Sequence, residues 1–139
     1  MAQWVKLIGS SQPPSARVPN HWHAHGAGDT FQFESGPRGR MPPFEIGDEM
    51  ILVAAGWSRA YAALEIAGGP EWSHTPRWGP KWPWVLHGRL VAWFPQVEDA
   101  PKPLEIGLPR SYGGAYQQIT EEQYDEALRQ FESRGAVTA

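Results

Sequence analysis

Eight tryptophans stand out in this 139-residue sequence, in which only 19% of residues are charged. Five of them fall in stretches rich in Gly and Pro rather than in apolar runs: Trp22, Trp57, Trp72, Trp78 and Trp82. Connecting segments mostly run over the surface, so a tryptophan there calls for a functional explanation. Aromatic faces stack on planar bases and cage methylated or cationic groups. The pattern predicts an aromatic ligand pocket, with core packing as the alternative for each residue.

Basic side chains in similar stretches could hold phosphates beside such a pocket. They are Arg38, Arg40, Arg59, Arg77, Lys81 and Arg110. Ordinary solvated surface is the alternative for each, because Lys and Arg are mostly exposed. Ser10 and Ser11, which follow an apolar run, could form hydrogen bonds with a base edge.

A histidine triplet is the one feature that suggests a metal. His21, His23 and His25 alternate, so an extended backbone would point them the same way, and imidazole binds zinc or nickel. The chain has no cysteine, and no acidic cluster lies nearby to complete a site. We expect no metal, and solvent-facing or hydrogen-bonding roles for these residues.

Catalytic patterns are missing from the sequence. The acidic residues are scattered, no Gly-rich phosphate loop follows a strand, and no Ser-His-acid arrangement emerges from the spacing. Asp48 follows Gly47 just before an apolar run, which is typical of a turn cap. We therefore expect a protein that is not an enzyme and has no cofactor.

Length and charge set further limits. A chain of this size corresponds to about one domain. The formal net charge of −3 argues against coating nucleic acid through bulk electrostatics, although local recognition stays open. No apolar run is long enough to cross a bilayer, and the first residues do not resemble a signal peptide. We expect a cytoplasmic protein without membrane association.

The centre of the chain, residues 44–70, predicts two buried strands at 49–55 and 60–67. Gly56, Trp57, Ser58 and Arg59 would form the turn between them, with Trp57 exposed at its tip. Further strands are predicted at 3–8, 29–34 and 84–94, with a short one at 104–106. Gly88 marks an expected bulge.

One helix is predicted at 119–131, where Thr120 and Gln123 have the spacing of a capping box. The pattern predicts one domain at 1–132, followed by a frayed tail at 133–139. The expected class is β-rich α+β: a single small β-barrel of about six short strands, the C-terminal helix, and one or two short peripheral helices.

Several motifs in order resemble the EVE domains of the PUA-like superfamily, whose relatives include YTH, ASCH and SRA-type readers of modified bases. The matching pieces are Trp4-Val5-Lys6-Leu7, Gly47-Asp48 with the strand at 50–55, the strand at 60–67 running into Pro70, Trp84-Val85, Arg110-Ser111, and 119–124. Together they cover most of the chain. Residues 19–28 have no counterpart in the family's pattern.

The resemblance implies a PUA-like barrel that binds nucleic acid and accommodates a modified or flipped-out nucleobase. It implies that Arg110 and Ser111 lie near the pocket. The candidate binding residues are Ser10, Ser11, Trp22, Trp57, Arg59, Trp78, Trp82, Arg110, Ser111 and Tyr112.

The expected partner is DNA or RNA with a modified base, alongside a nuclease or another modification-system protein, and the expected state is a monomer. The sequence distinguishes neither DNA from RNA nor one modification from another. Two alternatives stay open: a small-molecule or peptide-binding module using the same barrel mouth, and a small hydrolase or RNA-processing enzyme.

Overall fold

The computed structural model describes residues 1–8, 30–35, 40–75, 83–109 and 116–138, with only the backbone described at 30–35. These ranges contain seven strands and one α-helix. The strands are β1 (Gln3–Ile8), β2 (Thr30–Ser35), β3 (Glu49–Ala54), β4 (Arg59–Trp72), β5 (Trp84–Trp93), β6 (Tyr116–Ile119) and β7 (Val137–Thr138). The helix α1 spans Glu121–Ser133, and 3₁₀ helices lie at Val97–Asp99 and Pro103–Ile106.

The strands form one mixed sheet in the order β2-β5-β4-β3-β1-β6, and β7 also pairs with β5. β1 runs parallel to β3, while the other pairs are antiparallel. The expected β-rich α+β class is confirmed. Within the described ranges no ladder joins β2 to β6, so the sheet is open there and a closed barrel is not confirmed.

The central hairpin is confirmed as the core of the sheet. Residues 50–54 of β3 and 60–64 of β4 are almost completely buried. β4 continues to Trp72, five residues beyond the predicted end, because β5 pairs with it along most of its length. The register shifts where Gly88 faces β4, as expected, and a Cβ at Gly88 would come within 3.0 Å of the Leu64 side chain.

The helix α1 has the predicted cap. Gln123 N–H donates to Thr120 Oγ1 at 3.1 Å, and Thr120 N–H donates to Gln123 Oε1 at 2.9 Å. Tyr124, Ala127 and Phe131 are buried against the sheet, and the Phe131 ring meets that of Phe94 edge-on, with centroids 5.1 Å apart. Within the described ranges no helix combines the length and apolar character needed to span a bilayer.

Three local predictions are wrong. Residues 104–106 belong to a 3₁₀ helix instead of a strand, with Pro103 in its first turn and Gly107 ending it at φ 80°. Ile119 ends β6 rather than starting α1. The segment expected to fray returns to the sheet: Gly135 takes φ 85°, Ala136 N–H donates to Phe131 O, and Val137–Thr138 pairs with β5.

Asp48 joins the beginning of β1 to the turn before β3, which confirms its turn-capping role. Its side chain is buried, and its carboxylate accepts hydrogen bonds from Ala2 N–H at 2.9 Å, from Trp4 Nε1–H at 3.0 Å and from Glu45 N–H at 3.0 Å. Because all three donors meet one buried anion, the neutral amide of asparagine cannot replace it.

Asp48→Asn should therefore lower the free energy of unfolding by about 2–4 kcal/mol, since an amide nitrogen would face N–H donors. Urea denaturation followed by tryptophan fluorescence measures the change. Asp99→Asn, at an exposed aspartate, is the matched control and should change stability little. Equal losses in the two variants would contradict the assigned role of Asp48.

Candidate functional site

Two of the ten sequence-predicted binding residues, Trp57 and Arg59, lie within the described ranges. The other eight lie outside the described residues: Ser10, Ser11, Trp22, Trp78, Trp82, Arg110, Ser111 and Tyr112. The same is true of the three clustered histidines and of Arg38, Arg77 and Lys81.

Trp57 lies in the turn between β3 and β4, as predicted, but it is half-buried and packs against the core. Trp57 N–H and Ser58 N–H both donate to Ala54 O, at 3.2 and 2.9 Å, and Ser58 adopts φ 53°. Ala55 N–H donates to Ile8 O at 2.9 Å, which joins the turn to the end of β1. The expectation of an exposed Trp57 is wrong because the turn packs its large apolar ring against the sheet.

Arg59 holds the neighbouring loop. Its Nη1 donates to Ala100 O at 3.0 Å, and Ala60 N–H donates to Pro101 O at 2.8 Å. A guanidinium has five N–H donors, so this contact leaves it donors for an anionic or carbonyl-bearing ligand.

Four strand ends meet beside Trp57. β1 ends at Ile8, β3 ends next to it at Ala54, β4 starts at Arg59, and β6 starts at Tyr116, which pairs with Lys6. We call this region, with Lys6, Ile8, Trp57, Arg59 and Tyr116, the β1 exit. In the sequence Ser10 and Ser11 follow Ile8 after Gly9, and Arg110, Ser111 and Tyr112 precede Tyr116.

A second aromatic pair lies at the other end of β4. The rings of Trp72 and Trp84 meet edge-on with centroids 5.1 Å apart, and Trp72 is 51% exposed. Successive antiparallel hairpins put their turns at opposite ends of the shared strand. The connection that carries Trp78 and Trp82 therefore starts and ends far along β4 from Trp57.

The remaining tryptophans, expected in the core, differ in burial. Trp93 is 5% exposed and belongs to the core as expected. Trp4 and Trp84 are only half-buried.

Lys6 is the residue that sequence reasoning missed. It is 2% exposed, its Nζ donates to Leu7 O at 3.2 Å, and no ion pair joins it to a carboxylate of the described residues. Burial lowers the pKa of the Lys6 ammonium from 10.5 to about 8. Perturbed titratable groups concentrate at functional sites, so Lys6 qualifies as a candidate.

Lys6 shares its face of the sheet with a cluster of aromatic side chains. Trp4 lies two residues earlier on the same face of β1, and Tyr116 lies directly opposite on β6. Phe44 contacts both, with ring centroids 5.1 Å from Trp4 and 5.1 Å from Tyr116. Phe44 is buried, whereas Trp4 and Tyr116 keep part of their surface in solvent. We call Lys6 with these three aromatic residues the Lys6 site.

The alternation of side chains along a strand could have revealed that Lys6 and Trp4 share a face. The strand at 3–8 was predicted correctly, and a period of two puts Lys6 on the face that it shares with Trp4. Sequence gives no comparable signal for Phe44 or Tyr116, because both come to Lys6 through pairing and packing distant in the chain.

Charge is distributed unevenly. Outside β2, the described residues contain seven Lys and Arg but thirteen Asp and Glu, and three of these Arg form ion pairs with Glu65, Glu126 and Glu105. The connections 9–29, 36–39, 76–82 and 110–115 contain five Lys and Arg and a single Asp. Among the described residues, no group of three or more His, Asp and Glu could hold a metal ion.

No protein-family model matches this chain, and no curated protein does. One solved structure that it resembles is the X-ray crystal structure of protein Atu2648 from Agrobacterium tumefaciens, a target of the Northeast Structural Genomics Consortium. The two chains are 21% identical and superpose with a TM-score of 0.54 over 94% of this chain and 92% of that chain. The match shows a shared fold.

Lys6→Met should raise the free energy of unfolding at neutral pH by about 1–3 kcal/mol, because it removes a buried charge and keeps an unbranched apolar stem. Below pH 8 both the folded and the unfolded wild type carry the proton, so the cost of burying it is fully present. As the pH rises from about 8 to 10.5 the folded state loses the proton first, wild-type stability recovers, and the advantage of the variant shrinks.

Chemical denaturation of both proteins across this pH range tests the prediction. Lys102→Met, at an exposed lysine, is the control and should show little stabilisation at any pH. A Lys6→Met variant that is less stable than the wild type at neutral pH would contradict the prediction.

Proposed function

We propose that the protein is a nucleic-acid-binding module that accommodates a modified or flipped-out nucleobase in an aromatic pocket at the β1 exit. One observation carries the proposal. Seven of the ten candidate residues lie at the β1 exit or within a few residues of it along the chain: Ser10, Ser11, Trp57, Arg59, Arg110, Ser111 and Tyr112. Trp22, Trp78 and Trp82 remain candidates for further aromatic contacts.

The architecture that we propose is a PUA-like barrel of the EVE type. The strands β1, β3, β4 and β5 and the capped start of α1 carry the motifs of that resemblance, and they support it by occurring in the required order. In this proposal the sheet closes into a barrel, and the β1 exit is its mouth.

The distribution of charge supports nucleic acid over a small neutral ligand. Positive charge beside a pocket stabilises the phosphates that flank a bound base. The overall acidity of the chain belongs to the described strands and helix, whereas the connections have a surplus of Lys and Arg. We propose DNA or RNA with a modified base as the partner of a monomeric protein, which would work beside a nuclease or a modification-system protein.

A small-molecule or peptide-binding module at the same mouth is the second candidate, favoured by the half-buried aromatic side chains of the Lys6 site. Such a module would bind without dependence on phosphates. Its affinity would therefore change little with salt, whereas binding of nucleic acid weakens steeply as salt rises.

Fluorescence anisotropy with labelled oligonucleotides tests the proposed function. The panel contains single- and double-stranded DNA and RNA, unmodified or carrying 5-methylcytosine, N6-methyladenine, 8-oxoguanine or 5-hydroxymethyluracil. We expect one modified strand to bind selectively. Trp57→Ala and Arg110→Gln should each weaken this binding about tenfold, through lost stacking and a lost phosphate contact.

Two controls match these variants. Arg129→Gln removes an exposed arginine from α1, and Leu104→Ala removes an exposed apolar side chain, so neither should change affinity. Thermal unfolding of Trp57→Ala separates lost binding from lost structure. The proposal fails when the wild type binds no oligonucleotide, or binds all of them equally.

A further inference from the structure

We infer that Lys6 recognises a carbonyl oxygen on the bound nucleobase, which makes the site selective for guanine, hypoxanthine, uracil and thymine over adenine. The inference rests on the proposed function, and it names the group that reads the base. It assigns a binding role to the Lys6 site, whose residues are not among the ten candidates predicted from the sequence.

The position of Lys6 on β1 supports this role. Lys6 lies at the β1 exit, two residues before β1 ends, and Tyr116 is its cross-strand partner. Cβ atoms of directly opposed residues are about 5 Å apart, so the Lys6 and Tyr116 side chains share one patch of the sheet. Trp4 lies on the same face and is fixed by the hydrogen bond from its Nε1 to Asp48. Lys6 is only 2% exposed, so in this inference the edge of a base reaches its ammonium by entering between the half-buried side chains of Trp4 and Tyr116.

The N–H donors of the Lys6 ammonium support this role as well. An ammonium has three donors and no acceptor, and the Leu7 carbonyl takes one of these donors. No carboxylate of the described residues is paired with Lys6. A carbonyl oxygen would accept a charge-assisted bond from a second donor, whereas the exocyclic amino group of adenine would oppose donor to donor. Discrimination follows because the wrong base leaves a buried charge unsatisfied.

The loss of stability that comes with burying the Lys6 ammonium also supports a binding role. Methionine would fill the same space on β1 without a buried charge, and the pH dependence described above predicts a more stable protein. A charged side chain that opposes stability at this position is consistent with selection for binding, as at other functional sites. The competing explanation is structural: Lys6 caps the Leu7 carbonyl at the point where the described β1–β6 ladder ends.

The test compares wild type, Lys6→Met and Lys102→Met on short single-stranded oligonucleotides of one sequence. One central position holds hypoxanthine, guanine, adenine or unsubstituted purine, so hypoxanthine and adenine differ in the group at C6 and in the hydrogen at N1. DNA and RNA backbones are both used. Because Lys6→Met is expected to be the more stable protein, unfolding cannot account for a loss of affinity.

We expect wild type to bind the hypoxanthine and guanine strands about tenfold tighter than the adenine and purine strands, as a charge-assisted hydrogen bond predicts. Lys6→Met should bind all four strands with the affinity that wild type has for purine, and Lys102→Met should behave as wild type.

Three outcomes overturn the inference. When wild type binds and Lys6→Met keeps the same preference, Lys6 is a structural cap and the proposed function survives. When Lys6→Met weakens all four strands by the same factor, its charge acts on phosphates and not on the base. When wild type binds no strand, the proposed function fails and the inference fails with it.

Discussion

The buried carboxylate of Asp48 is the contact on which the rest of the structure depends. It accepts hydrogen bonds from the backbone of Ala2 and Glu45 and from the indole of Trp4, so one anion joins the first strand to the turn that precedes the third. β1 and β3 are parallel, and parallel neighbours cannot be joined by a short hairpin. Asp48 adds to the hydrogen bonds that Glu49 N–H donates to Ala2 O and Gln3 Nε2 donates to Glu49 Oε1 at the start of this pair, whose register places Lys6 opposite Leu52.

The same contact connects the scaffold with the candidate site. A tryptophan whose nitrogen is bound to Asp48 has little rotational freedom, so Trp4 presents a fixed surface to Phe44 and Tyr116. Lys6 lies between this cluster and the strand end. Rigid aromatic surfaces bind ligands at a low cost in conformational entropy, because few torsions have to be frozen. A positioned ammonium adds direction to a contact that stacking alone leaves unspecific.

The sequence predicted those parts of the fold that depend on local pattern. The bounds of β1 match, those of β3 and β5 differ by one residue, and the capping box of Thr120 and Gln123 has both of its hydrogen bonds. Each has its signal within a few consecutive residues: an apolar run, a period, or a capping residue.

What the sequence did not predict depends on contacts between distant segments. β6 holds the exposed Gln117 and Gln118, and it is a strand only because β1 lies beside it. The Gly-Gly-Pro step at 68–70 predicts the end of β4, yet the pairing between β4 and β5 continues past this step. The burial of Lys6 and the partial burial of Trp57 have the same origin, because hydrophobic pattern does not tell what will cover a given face. Of the residues that define the β1 exit, the sequence predicted Trp57 and Arg59 as candidates but did not single out Lys6.

The return of the chain after α1 has a consequence for the behaviour of the protein in concentrated solution. An unpaired strand edge is a template for pairing with another molecule, and proteins suppress this by covering or shortening their edges. One edge of β5 is occupied by β2 over its first half and by β7 at its end. The opposite margin of the sheet is β6, which is only four residues long. Val137 and Thr138 thus protect an apolar strand from edge-to-edge aggregation, which gives β7 a role in colloidal stability.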